Sequence, residues 1–181
     1  PFWHAVVGLF QLSDWIGSDD REDAFPYEVE TDGPRLPIAR ARASALFKTT
    51  GLDAESLRLQ LDRQPEFNSV SEFPAFTIQS AAAHAVGPIV VLESETGSVM
   101  TEAALYRFAC LFAADKVDSI YFALPTRAAA TQIHRRVELA IARLFPDSTS
   151  RPIVVRALPG DTGADGVTLR NIGGFEAEWP D

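Results

Sequence analysis

Cysteine, positive charge and long apolar runs are all scarce in this 181-residue chain, and each scarcity excludes a class of protein. The single cysteine, Cys110, excludes an intrachain disulfide and is typical of a reducing compartment. No stretch of about 20 apolar residues is present to cross a bilayer. The first residues also lack the pattern of a signal peptide. We therefore expect a cytoplasmic protein that makes no membrane contact.

Acidic residues outnumber basic ones by 25 to 16, which gives a formal net charge of −9. Apolar residues make up 46% of the chain and charged residues 23%, a composition typical of globular rather than disordered proteins. The length fits one domain, or one domain and part of another. Because the chain starts at Pro1 rather than at methionine, we expect it to be a piece of a longer protein.

The two signs of charge are concentrated in different parts of the chain. Residues 1–34 contain eight acidic residues and one arginine, whereas residues 127–156 contain six arginines and two acidic residues. Nucleic-acid binding requires only a local basic surface, so the acidic total does not exclude it. A solvated helix face is the alternative interpretation of the arginines, and it is the one that charge alone favours.

The first half of the sequence predicts helices separated by acidic, proline-containing loops. Residues 2–17 are apolar nearly all round the helix, which is typical of a core helix buried in a larger body. Further helices are predicted at 38–50 and 54–63, with a loop at 65–74.

From residue 76 the pattern changes to an alternation of helices and strands. Helices are predicted at 78–85, 101–114 and 127–145. Short apolar runs at 88–93, 119–124 and 152–158 are typical of buried parallel strands. The predicted fold class is therefore α/β, with a helical N-terminal segment and the start of a parallel sheet. A glycine-rich loop is predicted for the tail.

Three strings in this order resemble the CRISPR-associated helicase-nuclease of type I systems. They are GLFQLSDWIGSDD at 8–20, VLESETGSVMTEAAL at 91–105 and IYFALPTRAAATQIHRRV at 120–137. Family members have strings close to ADWIGSD at the last metal ligand of an HD nuclease domain. They have EAPTGSGKTEAAL at the phosphate loop of the helicase and ALPTQATANQM at the next helicase motif.

The resemblance implies a domain organisation and a function. Residues 1–24 would be the end of the HD nuclease domain, 25–74 a linker with helices, and 75–181 the first half of a RecA-like parallel α/β domain. The whole enzyme would be a prokaryotic, cytoplasmic antiviral protein that a guide-RNA surveillance complex recruits to its target. It would use ATP and Mg²⁺ to move along single-stranded DNA, and a divalent transition metal to cut it.

The phosphate loop departs from the family pattern at two positions. Thr96, Gly97 and Ser98 match the loop, and Thr101 matches the residue that holds Mg²⁺. Val99 replaces a glycine and Met100 replaces the lysine that reaches the phosphates, so shape and charge are both altered. An ordinary strand-to-helix turn is the alternative interpretation. We expect no ATP affinity tighter than about 1 mM.

Other residues are assigned roles by the resemblance alone. Gln79 matches the glutamine that recognises adenine, with polar surface as the alternative. Pro125, Thr126 and Arg127 match a motif that contacts the backbone of single-stranded DNA, with an ordinary turn and helix cap as the alternative.

Asp14 matches a late carboxylate ligand of the HD metal site, with a structural hydrogen-bonding partner as the alternative. The other ligands of that site are missing, because none of the three histidines is followed by Asp. Asp14 alone is therefore not expected to support nuclease activity.

Two other classes of function stay open. A degenerate relative could act only as a binding module, and an unrelated P-loop-like enzyme could use another nucleophile. In the resembled domain, moreover, strands 88–93 and 119–124 are not neighbours, since strands from later in the chain lie between them. We therefore expect both to keep unpaired edges.

Overall fold

A computed structural model of the protein describes residues 2–19, 24–25, 35–49, 52–93 and 99–158, together with the backbone of 163–164 and 167–168. The chain divides into two compact units, residues 1–53 and 54–181. The boundaries after residues 24 and 74 that the resemblance implies stay predictions.

Among its described residues, the first unit contains two helices, α1 (Phe2–Gly17) and α2 (Arg35–Thr49). Both confirm predicted helices, and α2 begins three residues earlier than expected. Although the sequence of α1 is typical of a core helix, none of its side chains is buried. Trp3, Phe10 and Trp15 are each about 70% exposed.

The part of the second unit that the structure describes contains four helices: α3 (Ala54–Arg58), α4 (Thr77–Ala83), α5 (Val99–Ala113) and α6 (Arg127–Leu144). A 3₁₀ turn, Phe67–Ser69, lies in the predicted loop. The helices predicted at 78–85, 101–114 and 127–145 are confirmed with shifts of one or two residues at their ends, whereas the helix predicted at 54–63 ends five residues early, at Arg58. In the tail, Gly163–Ala164 pairs antiparallel with Val167–Thr168. No described helix combines the length and apolarity needed to cross a bilayer.

The hydrophobic core of the second unit lies where α5 and α6 bury their apolar faces. Leu105 and Phe145 are about 1% exposed and are its largest fully buried side chains. Phe112 meets Phe145 edge-on, with ring centroids 6.3 Å apart. On α6 the buried positions Val137, Ile141 and Leu144 recur at helical spacing, which explains why one face of this helix is apolar.

The prediction of a RecA-like parallel α/β domain is wrong. Within the described residues the structure is helical, and its only strands are the two-residue pair at 163–164 and 167–168. The predicted strands at 88–93, 119–124 and 152–158 have no regular secondary structure. We refer to these three runs as the apolar segments.

A missing neighbour explains why the apolar segments do not form strands. A strand is stabilised by ladder hydrogen bonds to an adjacent strand, and short apolar runs gain none alone. In the described part of the chain, no ladder joins any of the three runs to a neighbour. Burial nevertheless alternates from one residue to the next along these runs, as it would in a strand. Val90, Leu92, Ile120 and Phe122 are half-buried, and the residues between them are exposed.

Arg107 on α5 fixes the end of α4. Its Nη1 donates to the carbonyl oxygens of Ala82 and Ala85, at 3.0 and 2.8 Å, and its Nη2 donates to that of Gly87 at 3.0 Å. Carbonyls at a helix C-terminus lack intrahelical donors, and the guanidinium supplies them. Gly87 has a φ of 110°, a backbone conformation that residues other than glycine rarely adopt.

Arg58 fixes the end of α5 in a similar way. Its Nε donates to the Phe112 carbonyl oxygen at 2.8 Å, and its guanidinium carbon lies 4.9 Å from the centroid of the Phe112 ring. Its Nη1 lies 3.0 Å from the carboxylate of Asp115, and its Nη2 lies 2.6 Å from that of Asp118. Asp115 has a φ of 57°, which favours glycine, and the ion pair with Arg58 is a physical reason for a carboxylate there.

Candidate functional site

The start of α6 has a well-formed N-cap. Thr126 is extended, and its Oγ1 accepts a hydrogen bond from the Ala129 N–H at 3.2 Å. This bond satisfies one of the amides that a helix N-terminus leaves without a partner. Pro125, Thr126 and Arg127 are all exposed, as a DNA-contacting motif would need to be. The hydroxyl of Thr126 nevertheless has a structural role as the cap.

A concave surface of about 960 Å³ begins at this N-terminus and follows α6. We call it the α6 groove; it is lined by Arg127, Ala128, Thr131, Gln132, Arg135, Arg136, Leu139, Arg156 and Leu158. Arg127, Thr131 and Arg135 are spaced four residues apart and therefore share one face of the helix. The lining contains four arginines and, among the described residues, no carboxylate.

Two of the arginines are held in place by neighbouring side chains. Arg136 donates from Nε to Glu102 Oε1 at 3.1 Å, and its Nη2 contacts both oxygens of the same carboxylate. Arg156 lies in the apolar segment 152–158, and its Nη1 donates to Thr131 Oγ1 at 3.4 Å. Thr131 in turn donates to the Arg127 carbonyl oxygen at 3.0 Å. The groove therefore combines fixed guanidinium groups with the exposed side chain of Arg135.

Of the groove lining, sequence reasoning assigned only Arg127 to DNA contact, since the other two residues of that motif, Pro125 and Thr126, precede the groove. Arg135 and Arg156 belong to the arginine-rich stretch, for which charge alone favours a solvated face. The four-residue spacing of Arg127, Thr131 and Arg135 was a usable signal for one shared face. The approach of Arg156 was not predictable, because it depends on the path of residues 152–158.

Gln79 lies near the predicted nucleotide site, but its amide is used within the protein. It is 4% exposed, its Oε1 accepts from the Phe76 N–H at 2.9 Å, and its Nε2 donates to the Val99 carbonyl oxygen at 3.0 Å. The side chain thus joins the start of α4 to the start of α5. Because the oxygen and the nitrogen of this amide both make hydrogen bonds within the protein, the side chain is poorly placed to recognise adenine.

The structure describes only part of the predicted phosphate loop. Thr96, Gly97 and Ser98 lie outside the described residues. Thr101, in the first turn of α5, is 9% exposed, and Met100 is 41% exposed at the position of the family's lysine. A thioether provides no positive charge for a phosphate. The described residues therefore do not fit Mg-ATP, and no step is derived through it.

Asp14, the predicted metal ligand, is exposed on α1, and its carbonyl oxygen accepts from the Ser18 N–H at 2.9 Å. In the described part of the chain, no three His, Cys, Asp or Glu side chains come together as a metal site would require. A transition metal needs several such ligands at fixed geometry. The described surroundings of Asp14 therefore do not fit the HD metal.

Cys110 and Tyr106 form a second chemical pair, one turn apart on α5. Burial raises the pKa of the Cys110 thiol, although the hydrogen bond with Tyr106 lowers it in part. Burial also raises the pKa of Tyr106, as does the adjacent Cys110. A thiol held in its neutral form is a poor nucleophile. The pair therefore belongs to the packing of α5 rather than to a catalytic centre.

Comparison with known proteins adds no further assignment. No protein-family model matches the chain, and no curated protein or solved structure is significantly similar to it.

Proposed function

We propose that this chain is a DNA-binding piece of a type I CRISPR helicase-nuclease, and that it does not hydrolyse ATP. The α6 groove contacts the sugar-phosphate backbone of single-stranded DNA. In the complete protein, a guide-RNA surveillance complex delivers the target strand. The proposal rests on the three matching strings and on the groove itself.

The observation that carries the proposal is the grouping of four arginines along one concave surface, one of which, Arg136, is already paired with Glu102. Guanidinium groups bind phosphates through paired N–H donors, and an exposed helix N-terminus adds a partial positive charge. Contacts of this kind do not depend on base sequence, which suits a protein that acts on any strand. The net charge of −9 does not oppose this role, since residues 1–34, with eight acidic residues and one arginine, account for −7 of it.

The experiment compares the unsubstituted chain with Arg135→Ala. Each protein is titrated into fluorescently labelled single-stranded DNA, and binding is measured by anisotropy at a series of salt concentrations. Removing one arginine that binds a phosphate should reduce the slope of log affinity against log salt by about 0.7. We expect a slope change of this size for Arg135→Ala, and about twice as much when Arg127→Ala is added.

Arg63→Ala is the matched control, because it removes the same charge from an exposed position outside the groove. It should leave the slope nearly unchanged. Equal reductions of the slope for Arg63→Ala and Arg135→Ala would mean that only net charge matters, and the α6 groove would then not be the binding site.

The second candidate is a degenerate relative that only binds a partner, and the internal hydrogen bonds of Gln79 favour it. The two candidates differ in whether an ATP site can be restored. In the full-length protein, Val99→Gly combined with Met100→Lys should restore ATP hydrolysis if the chain is a helicase fragment. If these changes restore nothing, the binding module is the better interpretation.

A further inference from the structure

A carboxylate from another helix reaches one of the arginines that line the α6 groove. Glu102 lies in the first turn of α5, and Arg136 lies on α6. Arg136 Nε donates to Glu102 Oε1 at 3.1 Å, and its Nη2 contacts both oxygens of the carboxylate. The Arg136 guanidinium therefore already holds an oxyanion with the two donors on one edge of its plane.

This ion pair is partly shielded from solvent. The side chain of Arg136 is 25% exposed and that of Glu102 is 18% exposed. Water and dissolved salt screen a pair in such a position less than they screen a fully exposed pair. Arg135, the preceding residue in the groove lining, is exposed. The two arginines therefore differ, because the charge of Arg136 is compensated within the protein before any strand binds.

A phosphate and a carboxylate use the same donors of a guanidinium group. Both accept parallel N–H bonds from the rigid fork of an arginine side chain. A phosphate that takes the edge used by Glu102 has to displace a carboxylate that is tethered to α5 and therefore stays nearby. Repulsion between the displaced carboxylate and the phosphate opposes the exchange as well. Glu102 thus reduces what Arg136 can contribute to the binding of a polyanion.

We infer, on the basis of the function proposed above, that Glu102 is an internal competitor of phosphate in the α6 groove. It keeps Arg136 from making a phosphate contact and so limits how many phosphates of a bound strand the groove holds. Glu102 does not touch the strand itself. It acts through Arg136, and its effect is on the affinity of the groove rather than on any base preference.

Anisotropy titrations of labelled single-stranded DNA at several salt concentrations test this inference, with the unsubstituted chain as the reference. Glu102→Gln removes the negative charge and keeps the size of the side chain. It should steepen the slope of log affinity against log salt by about 0.7, because one further phosphate contact is made. Between about 50 and 200 mM salt, its affinity should therefore fall about two to three times more than that of the reference. An unchanged slope would overturn the inference.

A second variant keeps the test valid if Glu102→Gln alone, which removes a partner of Arg136, is poorly folded. Glu102→Gln combined with Arg136→Gln removes both charges, which proteins tolerate better than the loss of one member of a shielded pair. If paired Arg136 makes no phosphate contact, this double variant should keep the slope of the unsubstituted chain. A slope shallower by about 0.7 would mean that Arg136 binds phosphate while paired with Glu102, and the inference would be wrong.

Glu138→Gln is the matched control. Glu138 is an exposed carboxylate on α6 that lies 3.6 Å from His134 Nδ1 and is not part of the groove lining. Its substitution removes the same charge as Glu102→Gln and should leave the slope nearly unchanged. An equally steep slope for the two variants would assign the effect to net charge and would also overturn the inference.

Arg135→Ala distinguishes a failure of this inference from a failure of the proposed function. If Arg135→Ala reduces the slope and Glu102→Gln does not steepen it, the groove binds DNA and only the role of Glu102 is wrong. If neither variant changes the slope, or if the unsubstituted chain does not bind the DNA, the proposed function is wrong and the inference fails with it.

Discussion

Helices α1 and α5 are nearly equal in length and both are strongly apolar, yet their environments are opposite. Six of the 15 residues of α5 are buried, whereas none of the 16 residues of α1 is. Helix α5 packs against α4 and α6 and is tied to other segments by Arg107 and Arg58. Helix α1 has aromatic side chains on its surface and no described tie of this kind. An apolar helix therefore contributes to a core only when other elements cover its face.

The largest effect should come from deleting core volume in α5. Leu105→Ala should lower the free energy of unfolding by about 3 kcal/mol or more, because it leaves a cavity at a fully buried position. Phe10→Ala in α1 should cost less than about 0.5 kcal/mol, since its side chain is 73% exposed. Urea unfolding followed by circular dichroism measures both. Similar losses for the two variants would abolish the contrast between the helices.

The tie between Arg58 and the end of α5 should have the next largest effect. Arg58→Met keeps much of the side-chain volume but removes the donors to Phe112, Asp115 and Asp118. We expect a loss of about 1 to 2 kcal/mol from the lost charge-assisted hydrogen bonds; the Phe112 carbonyl oxygen keeps the Asp115 N–H as a donor at 3.1 Å. Arg63→Met, at an exposed position in the same unit, is the control and should change little. Equal effects would show that Arg58 acts through general charge alone.

Two substitutions of Asp115, the residue with a left-handed φ after α5, distinguish the effect of backbone strain from that of the ion pair with Arg58. Asp115→Gly removes the carboxylate that faces Arg58 but relieves the strained φ, whereas Asp115→Ala removes the carboxylate and keeps the strain. The alanine variant should therefore be less stable than the glycine variant by about 1 kcal/mol. Thermal unfolding of the two proteins in one buffer gives this difference directly. Identical stabilities would mean that the turn relaxes.

The smallest effect concerns pH and the packed face of α5. Burial raises the pKa of Cys110, so the unfolded thiol loses its proton first, above about pH 8.5. The stability that the neutral thiol provides is complete below that pH and is lost as pH rises through the folded pKa. Cys110→Ala should therefore reduce the loss of stability between neutral and alkaline pH. An unchanged pH dependence in this variant would assign the alkaline loss to other groups, such as Tyr106.

Local signals in the sequence predicted the helices of the second unit well. The start of α6 follows from Pro125 and Thr126, since a threonine cap and a preceding proline act within one turn. Its apolar face follows from the spacing of Val137, Ile141 and Leu144. Strand formation was not predictable in this way. A run such as 119–124 becomes a strand only with a neighbour at its edge, and its own residues cannot show whether one is present.

The candidate site shows the same division between local and distant information. Arg127 and Arg135 share a helix face, which their spacing alone predicts. Arg156 reaches Thr131 from a segment 25 residues away, and the internal hydrogen bonds of Gln79 depend on how α4 meets α5. Motif matching assigned Gln79 to a ligand because the motif contains no information about which polar atoms are already satisfied.

The position of Arg107 determines an order of events during synthesis on the ribosome. The carbonyls of Ala85 and Gly87 emerge from the exit tunnel 22 and 20 residues before the side chain that binds them. Helix α4 has seven residues, and a helix of that length is not stable alone in water. We therefore expect the nascent chain to hold α4 only transiently until α5 has been released. A pause in translation after α4 has left the tunnel, but before Arg107 has, would leave this segment open to proteases.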